Sequence, residues 1–388
     1  MLSVLLQARK SMGKIVSLLG IVVMAACTPT TTPVSGAGGG KVQIALLVPG
    51  GSGQASDELL ATSLQNAARL AISDLGNSQI DLRVYNTAGQ PSQAAAMASK
   101  AVDDGAQIIL GPVYAQEANA AGLAVKGSGI NVLSFSNNTD VAGGNVFVLG
   151  PTFANSAHRL ASYAVRSGKS KIMIVHDLNT AGQIGRAATE QGVAAAGGQV
   201  VAINGYEFSQ NGIVQAGPVI AAAAKSNGAQ AIFFTADTAG ALPLITQMLA
   251  DQSVTSAQIQ FVGLTRWDVP TATLSLPGVQ GGIFALPDPG LFAQYQSRYQ
   301  AAYSEPPHPI SGLAYDGIAA IGALLKQGTT GIVTREALTQ GSGFVGVNGV
   351  FRLRGDGTNE RGLAIARVSD GQAIVIDPAP RSFGGAGF

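Results

Sequence analysis

Short apolar runs alternate with helical stretches along most of this chain, and that rhythm leaves few folds open. Residues 42–48, 80–85, 108–110 and 132–135 read as strands, with helices predicted over 59–75 and 93–102. From about residue 153 the rhythm restarts. Helices over 154–166, 184–196, 219–224 and 242–249 then alternate with strands over 171–175, 199–203, 231–234 and 259–262. Short apolar strands separated by helices pack as parallel sheets covered on both faces. The restart predicts two doubly wound α/β lobes, and a chain of 388 residues exceeds what a single core usually organises. The tail differs. Helices are expected over 291–302 and 318–326, followed by antiparallel strands over 349–353, 363–368 and 373–376 around turns such as Gly355-Asp356-Gly357.

Ahead of the first strand stand basic Arg9, Lys10 and Lys14, an apolar run over 15–24, then Ala25-Ala26-Cys27 and a Thr/Pro/Gly tract over 28–40. That order resembles a bacterial lipoprotein signal peptide. The resemblance implies cleavage before Cys27, lipidation of Cys27 and its new amino terminus, and a flexible tether over 27–41. Residues 1–26 would then be the leader, starting at Met1 or Met12. The apolar run is too short to cross about 30 Å of hydrocarbon as a helix. The leader takes three of the 23 Lys and Arg and no acid, leaving 20 basic against 22 acidic side chains. That balance offers no basic excess for nucleic acid and no polybasic membrane patch.

Catalytic machinery is hard to assemble from this sequence. Cys27 is the single cysteine, so no disulfide or thiolate metal site can form within the folded body. The three histidines, His158, His176 and His308, lack metal-ligand spacing. His176-Asp177 follows a strand, where open α/β sheets place ligands, but no nucleophile or orienting group accompanies it. Gly50-Gly51-Ser52-Gly53 lies between the first strand and a helix without the Lys-Ser/Thr ending of a phosphate loop. Its amides could still hold an anion or carboxylate. No enzyme activity, cofactor or metal is predicted.

Several segments together are similar to the type I periplasmic binding fold, of the leucine/isoleucine/valine-binding type. They are Val48-Pro49-Gly50-Gly51-Ser52-Gly53, Ala67-Ala68-Arg69-Leu70-Ala71, Asp104-Gly105 through Gly111-Pro112-Val113, and Ala314-Tyr315-Asp316-Gly317. The resemblance implies three crossovers between discontinuous lobes. It places 42–150 plus 284–340 in the amino-terminal lobe and 151–283 plus 341–380 in the carboxyl-terminal lobe. Importer receptors of this fold grip a ligand carboxylate with hydroxyls and amides, and its ammonium with an acid. Candidate cleft residues on that footing are Ser52, Tyr114, Ser136, Asn137, Asn138, Asp237 and Arg266. The pattern departs at Ala115, where a serine is usual, and at Ala181, where an aromatic residue is usual. It departs again in Gly263-Leu264-Thr265-Arg266-Trp267-Asp268, which has no acid at the expected ammonium position.

The tail from Phe344 to Arg352, with Arg361-Gly362-Leu363-Ala364-Ile365-Ala366 and the ending over 375–383, resembles penicillin-binding-protein activator lipoproteins (LpoA/LppC-like). That likeness implies a lipoprotein on the periplasmic face of the outer membrane that regulates peptidoglycan synthesis by binding a penicillin-binding protein. The alternative is a receptor of an ABC importer for branched-chain or other amino acids, with an ABC permease as partner.

Overall fold

The computed structural model describes residues 41–76 and 79–383. The leader, Cys27 and the tether predicted over 27–41 fall outside these residues, apart from Lys41. The chain runs β1 (Val42–Val48), α1 (Ala55–Asp74), β2 (Ile80–Asn86), α2 (Pro91–Asp103), β3 (Ile108–Leu110), α3 (Ala115–Val125), β4 (Val132–Ser134) and β5 (Val146–Val148). These strands form one fully parallel sheet in the order β2-β1-β3-β4-β5. Every residue of β1 is buried, as a central strand between two helical layers requires.

The second run is α4 (Phe153–Arg166), β6 (Lys171–Asp177), α5 (Thr180–Ala195), β7 (Gln199–Tyr206), α6 (Gln210–Ser226), β8 (Ala231–Phe234), α7 (Leu242–Asp251), β9 (Gln260–Gly263) and β10 (Ile283–Leu286). The chain then returns through α8 (Pro289–Tyr303), α9 (Gly312–Lys326), α10 (Arg335–Leu338), β11 (Phe344–Gly346), β12 (Gly349–Leu353) and β13 (Asn359–Arg361). It ends in β14 (Ala364–Ser369) and β15 (Gln372–Asp377). Strands β6 to β10 pair in parallel, and β14 and β15 extend the β10 edge antiparallel, giving the order β15-β14-β10-β9-β8-β6-β7. Strands β11, β12 and β13 form a separate antiparallel sheet.

This is the α/β architecture with mainly parallel sheets expected from the sequence, and the chain passes between the two large sheets' bodies three times, near 149–152, 287–288 and 362–363. One boundary differs from expectation. Residues 341–361, expected in the carboxyl-terminal lobe, instead send Phe344, Val347, Phe351 and Leu353 into the core built around β1, α1 and α9. Four-residue β10, assigned mostly to the first lobe, is a strand of the second sheet. Burial explains both: the small sheet has an apolar face that only α9 and its neighbours cover, whereas Phe284 packs on Trp267 with ring centroids 6.3 Å apart.

Helix starts explain several shifted boundaries. Asn179 Oδ1 accepts from Gly182 N at 2.7 Å, so α5 begins four residues before its apolar periodicity does. Asp288 Oδ1 caps α8 by accepting from Gly290 N and Leu291 N, with Pro289 in the first turn. Thr152 and Asn155 form a reciprocal capping box on α4, the helix that receives the first crossover. Pro218 sits inside α6, so the helix expected to start at residue 219 in fact starts at Gln210.

The first and third crossovers are fastened side by side. Asn359 Nδ2 donates to Val148 O and Gly150 O, both at 2.8 Å, and Asn155 Nδ2 donates to Asn359 O at 3.0 Å. Arg361 donates through Nε and Nη2 to Leu149 O and through Nη1 to Asp316 Oδ2 at 3.1 Å. Asp316, fully buried on α9, also accepts from Val347 N at 2.8 Å and Asn348 Nδ2 at 3.0 Å. Arg159 of α4 does the same service nearby, donating to Leu363 O at 2.7 Å and pairing with Asp377 at 3.0 Å.

Candidate functional site

Parallel strands end in loops at their carboxyl edges, and those loops are where open α/β sheets hold ligands. A cavity of ≈560 Å³ opens there, between Asn137 after β4, residues 237–239 after β8, residues 264–266 after β9 and Leu286-Pro287 after β10. Its floor comes from the crossovers and the start of α9: Thr152, Phe153, Ile310, Leu313 and Arg361. A second hollow of ≈340 Å³ continues from it toward Pro289, Phe292 and Pro307. The two share Arg266, Val269, Leu286, Pro287 and Pro309, so they form one groove.

The β9 loop owes its aim to Trp267. Its ring is fully buried, and a Cβ on either Gly263 or Gly282 would collide with it. Anchoring at Trp267 leaves Thr265 and Arg266 to face the cavity. Arg266 is held in place by a two-point pair with Asp268, with Nε to Oδ1 at 2.9 Å. The Thr265 hydroxyl donates to Ala236 O at 3.2 Å and the Thr238 hydroxyl to Val269 O at 2.8 Å. Each thus keeps only acceptor capacity for anything in the cavity. Asp237 lines the cavity as an exposed carboxylate.

Of the sequence-predicted cleft residues, the structure brings Asn137, Asp237 and Arg266 to this cavity. The other four lie outside its walls, engaged in local structure. Ser52 Oγ accepts from Gln54 N at 3.1 Å, and Ser136 Oγ accepts from Asn138 N at 3.1 Å. Asn138 Oδ1 accepts from Asp140 N, capping a short 3₁₀ turn. Tyr114 donates to Asp57 Oδ1 at 2.5 Å, and that bond, with burial, pushes its hydroxyl up to about 12. Hydroxyl and amide residues near a turn compete for the backbone, which is why type alone did not separate ligand groups from turn groups.

Sequence reasoning missed Thr238, Thr265, Phe153 and Asn348 on the walls. Thr238 and Thr265 each carried a signal, from a place next to a predicted ligand, Asp237 and Arg266. Behind Asp237 lies a buried polar cluster at the ends of β6, β7 and β8. His176 Nδ1 lies 2.8 Å from Asp177 O, and Asp177 N donates to Thr235 Oγ1 at 3.2 Å. Asp177 Oδ1 and the Tyr206 hydroxyl face each other without reaching hydrogen-bond geometry. Burial first, and the Asp237 charge second among the raising influences, hold the Asp177 carboxyl above its ordinary range. No group of His, Cys, Asp and Glu able to hold a metal occurs among the described residues.

Two doubly wound α/β bodies joined by three crossovers, with a mostly apolar cavity at the strand ends, define a cleft-bearing binding protein. A family model described as periplasmic binding protein matches residues 41–373. The chain belongs to that family, which is one of binding proteins rather than enzymes and implies a periplasmic location. Among solved structures, a candidate branched-chain amino acid ABC transporter protein from Rhodospirillum rubrum is similar with a TM-score of 0.73 at 18% identity, over 87% of this chain and 100% of that one. A branched-chain amino acid ABC transporter periplasmic ligand-binding protein from Burkholderia xenovorans is similar at 0.68 and 17%, over 89% and 97%. An ABC transporter substrate-binding protein from Desulfitobacterium hafniense, in complex with Leu, is similar at 0.64 and 18%, over 87% and 100%. At these identities the likeness is one of fold. No curated protein matches the sequence.

Proposed function

We propose that this chain is the solute receptor of an ABC importer, taking a small, largely apolar ligand into the cleft and closing its lobes over it. The observation that carries this reading is the cavity: ≈560 Å³, apolar for most of its wall, with a few polar groups converging on it. That size and make-up are those of small-molecule sites. The structural neighbours described as ABC transporter ligand-binding proteins support the receptor over the synthase regulator that the sequence favoured. Asn137, Asp237 and Arg266 are the predicted residues assigned to the ligand, with Thr238 and Thr265 beside them. The three crossovers act as the hinge and absorb the rotation of lobe closure. Cys27 would hold the receptor on a membrane surface by its lipids, with 28–40 as reach.

Titration calorimetry of the protein with the twenty amino acids, paired with small-angle scattering, tests the reading. Saturable binding of one ligand, with a fall in radius of gyration, is the expected result. Silence across the panel, together with capture of a penicillin-binding protein from detergent-solubilised membranes, would overturn it in favour of the regulator.

A further inference from the structure

The charge inventory of the cavity is one-sided. Three charged side chains line it, Asp237, Arg266 and Arg361. Arg266 is committed to Asp268, and Arg361 to Asp316 and the Leu149 carbonyl. Asp237 has no cation or hydrogen-bond donor on its carboxylate among the described residues, so the wall carries one uncompensated negative charge. Its neighbours add acceptors. The Thr238 and Thr265 hydroxyls have spent their protons on Val269 O and Ala236 O. Asn348 gives one amide proton to Asp316 and keeps its side-chain oxygen as an acceptor, beside its second N–H. Behind Asp237, the Asp177 carboxylate and the Tyr206 hydroxyl are each more than nine-tenths buried, and each has an oxygen without a partner.

A carboxylate entering this space would meet Asp237 with both arginines already neutralised. An ammonium would find what its three protons require: a free carboxylate and hydroxyl oxygens able only to accept. The groove continues past Pro309 to Pro307, Pro289 and Phe292, where prolines and the Phe292 ring share the wall with Thr271 and Gln296. We propose that the ligand selected here is a primary ammonium on an elongated apolar body, with no carboxylate beside the charge. The proposal rests on the receptor reading and narrows it. Such a group is carried by a free apolar amine or by the amino end of a short apolar peptide. Asp237 takes the charge, and the proline-lined extension takes the far end of the body.

Calorimetry on the full chain with leucine, leucinamide, 3-methylbutylamine and leucyl-leucinamide, and with isovalerate as the carboxylate without an amine, tests this. Leucinamide and 3-methylbutylamine are expected to bind about tenfold or more tighter than leucine, as a charge-assisted contact without an opposing carboxylate should. Leucyl-leucinamide binding tighter still assigns the source to peptides, and the reverse order assigns it to free amines. Asp237→Asn should weaken all the amines about tenfold or more while leaving the thermal melt unchanged, because Asp237 is exposed. Phe292→Ala should weaken leucyl-leucinamide and leave leucinamide alone. Leucine or isovalerate binding as tightly as leucinamide, or amine binding indifferent to Asp237→Asn, would overturn the proposal and leave the receptor reading standing. Silence toward all four amines and toward the twenty amino acids would overturn both.

Discussion

Replacing Arg361 by Met is the most searching single perturbation of this fold. Arg361 is 5% exposed and Asp316 is 0% exposed, and their ion pair at 3.1 Å spans the third crossover and α9. The substitution keeps much of the side-chain volume but removes the cation from a buried carboxylate. It also strips Leu149 O of both guanidinium donors at the first crossover. Breaking a buried pair from one side costs about 3–5 kcal/mol, because the remaining charge keeps its desolvation penalty. Asp316 retains Val347 N and Asn348 Nδ2, which places the expected loss toward the lower end, about 3 kcal/mol. Asp316→Asn in the same background should return part of that loss, since it removes the stranded charge. Urea unfolding of the four proteins of the double-mutant cycle measures both quantities. A loss below about 1 kcal/mol for Arg361→Met, or strictly additive effects of the two substitutions, would refute the argument that this pair fastens the crossovers.

Trp267→Ala should cost about 3–5 kcal/mol, as for a large buried ring, and weaken ligand binding by freeing Thr265 and Arg266; denaturant midpoints and calorimetry read the two effects separately. Glu117, fully buried at the start of α3 with neither carboxylate oxygen partnered, has its carboxyl held above 4.5, chiefly by burial. The folded state therefore binds that proton more readily than the unfolded state. Its contribution to stability is complete below about pH 4.5 and is lost as pH rises through the higher folded value. Glu117→Gln should accordingly flatten the decline and leave the protein more stable than the parent at pH 8; an unchanged melting profile across pH 4–8 would sink this assignment. Cys27→Ser should abolish incorporation of labelled palmitate and move the protein from the membrane to the soluble fraction, and continued membrane association of an unlabelled chain would refute the anchor.

The alternation of short apolar runs with helices was enough to determine the doubly wound class and its two sheets, because burial on both faces of β1 or β8 writes itself into consecutive residues. Three-residue strands such as β5 and β13 left no such trace, and α3, rich in small residues, lacks the apolar stripe that periodicity detects. The candidate site was legible only in part. Asn137, Asp237 and Arg266 follow strands and reach the cavity, whereas Ser136 and Asn138 follow one too and turn back on the backbone. Position after a strand is a local property, and the destination of a side chain is not. Which groups remain free depends on partners far along the chain: Arg361 on Asp316 and Leu149, Thr238 on Val269, Thr265 on Ala236. The sequence by itself therefore determined that this chain builds two α/β bodies with loops fit to hold a ligand. Only the tertiary structure decided that the cleft's cations are spent, that its acceptors are not, and that 341–361 belong to the first core, since each of these follows from contacts between segments distant in sequence.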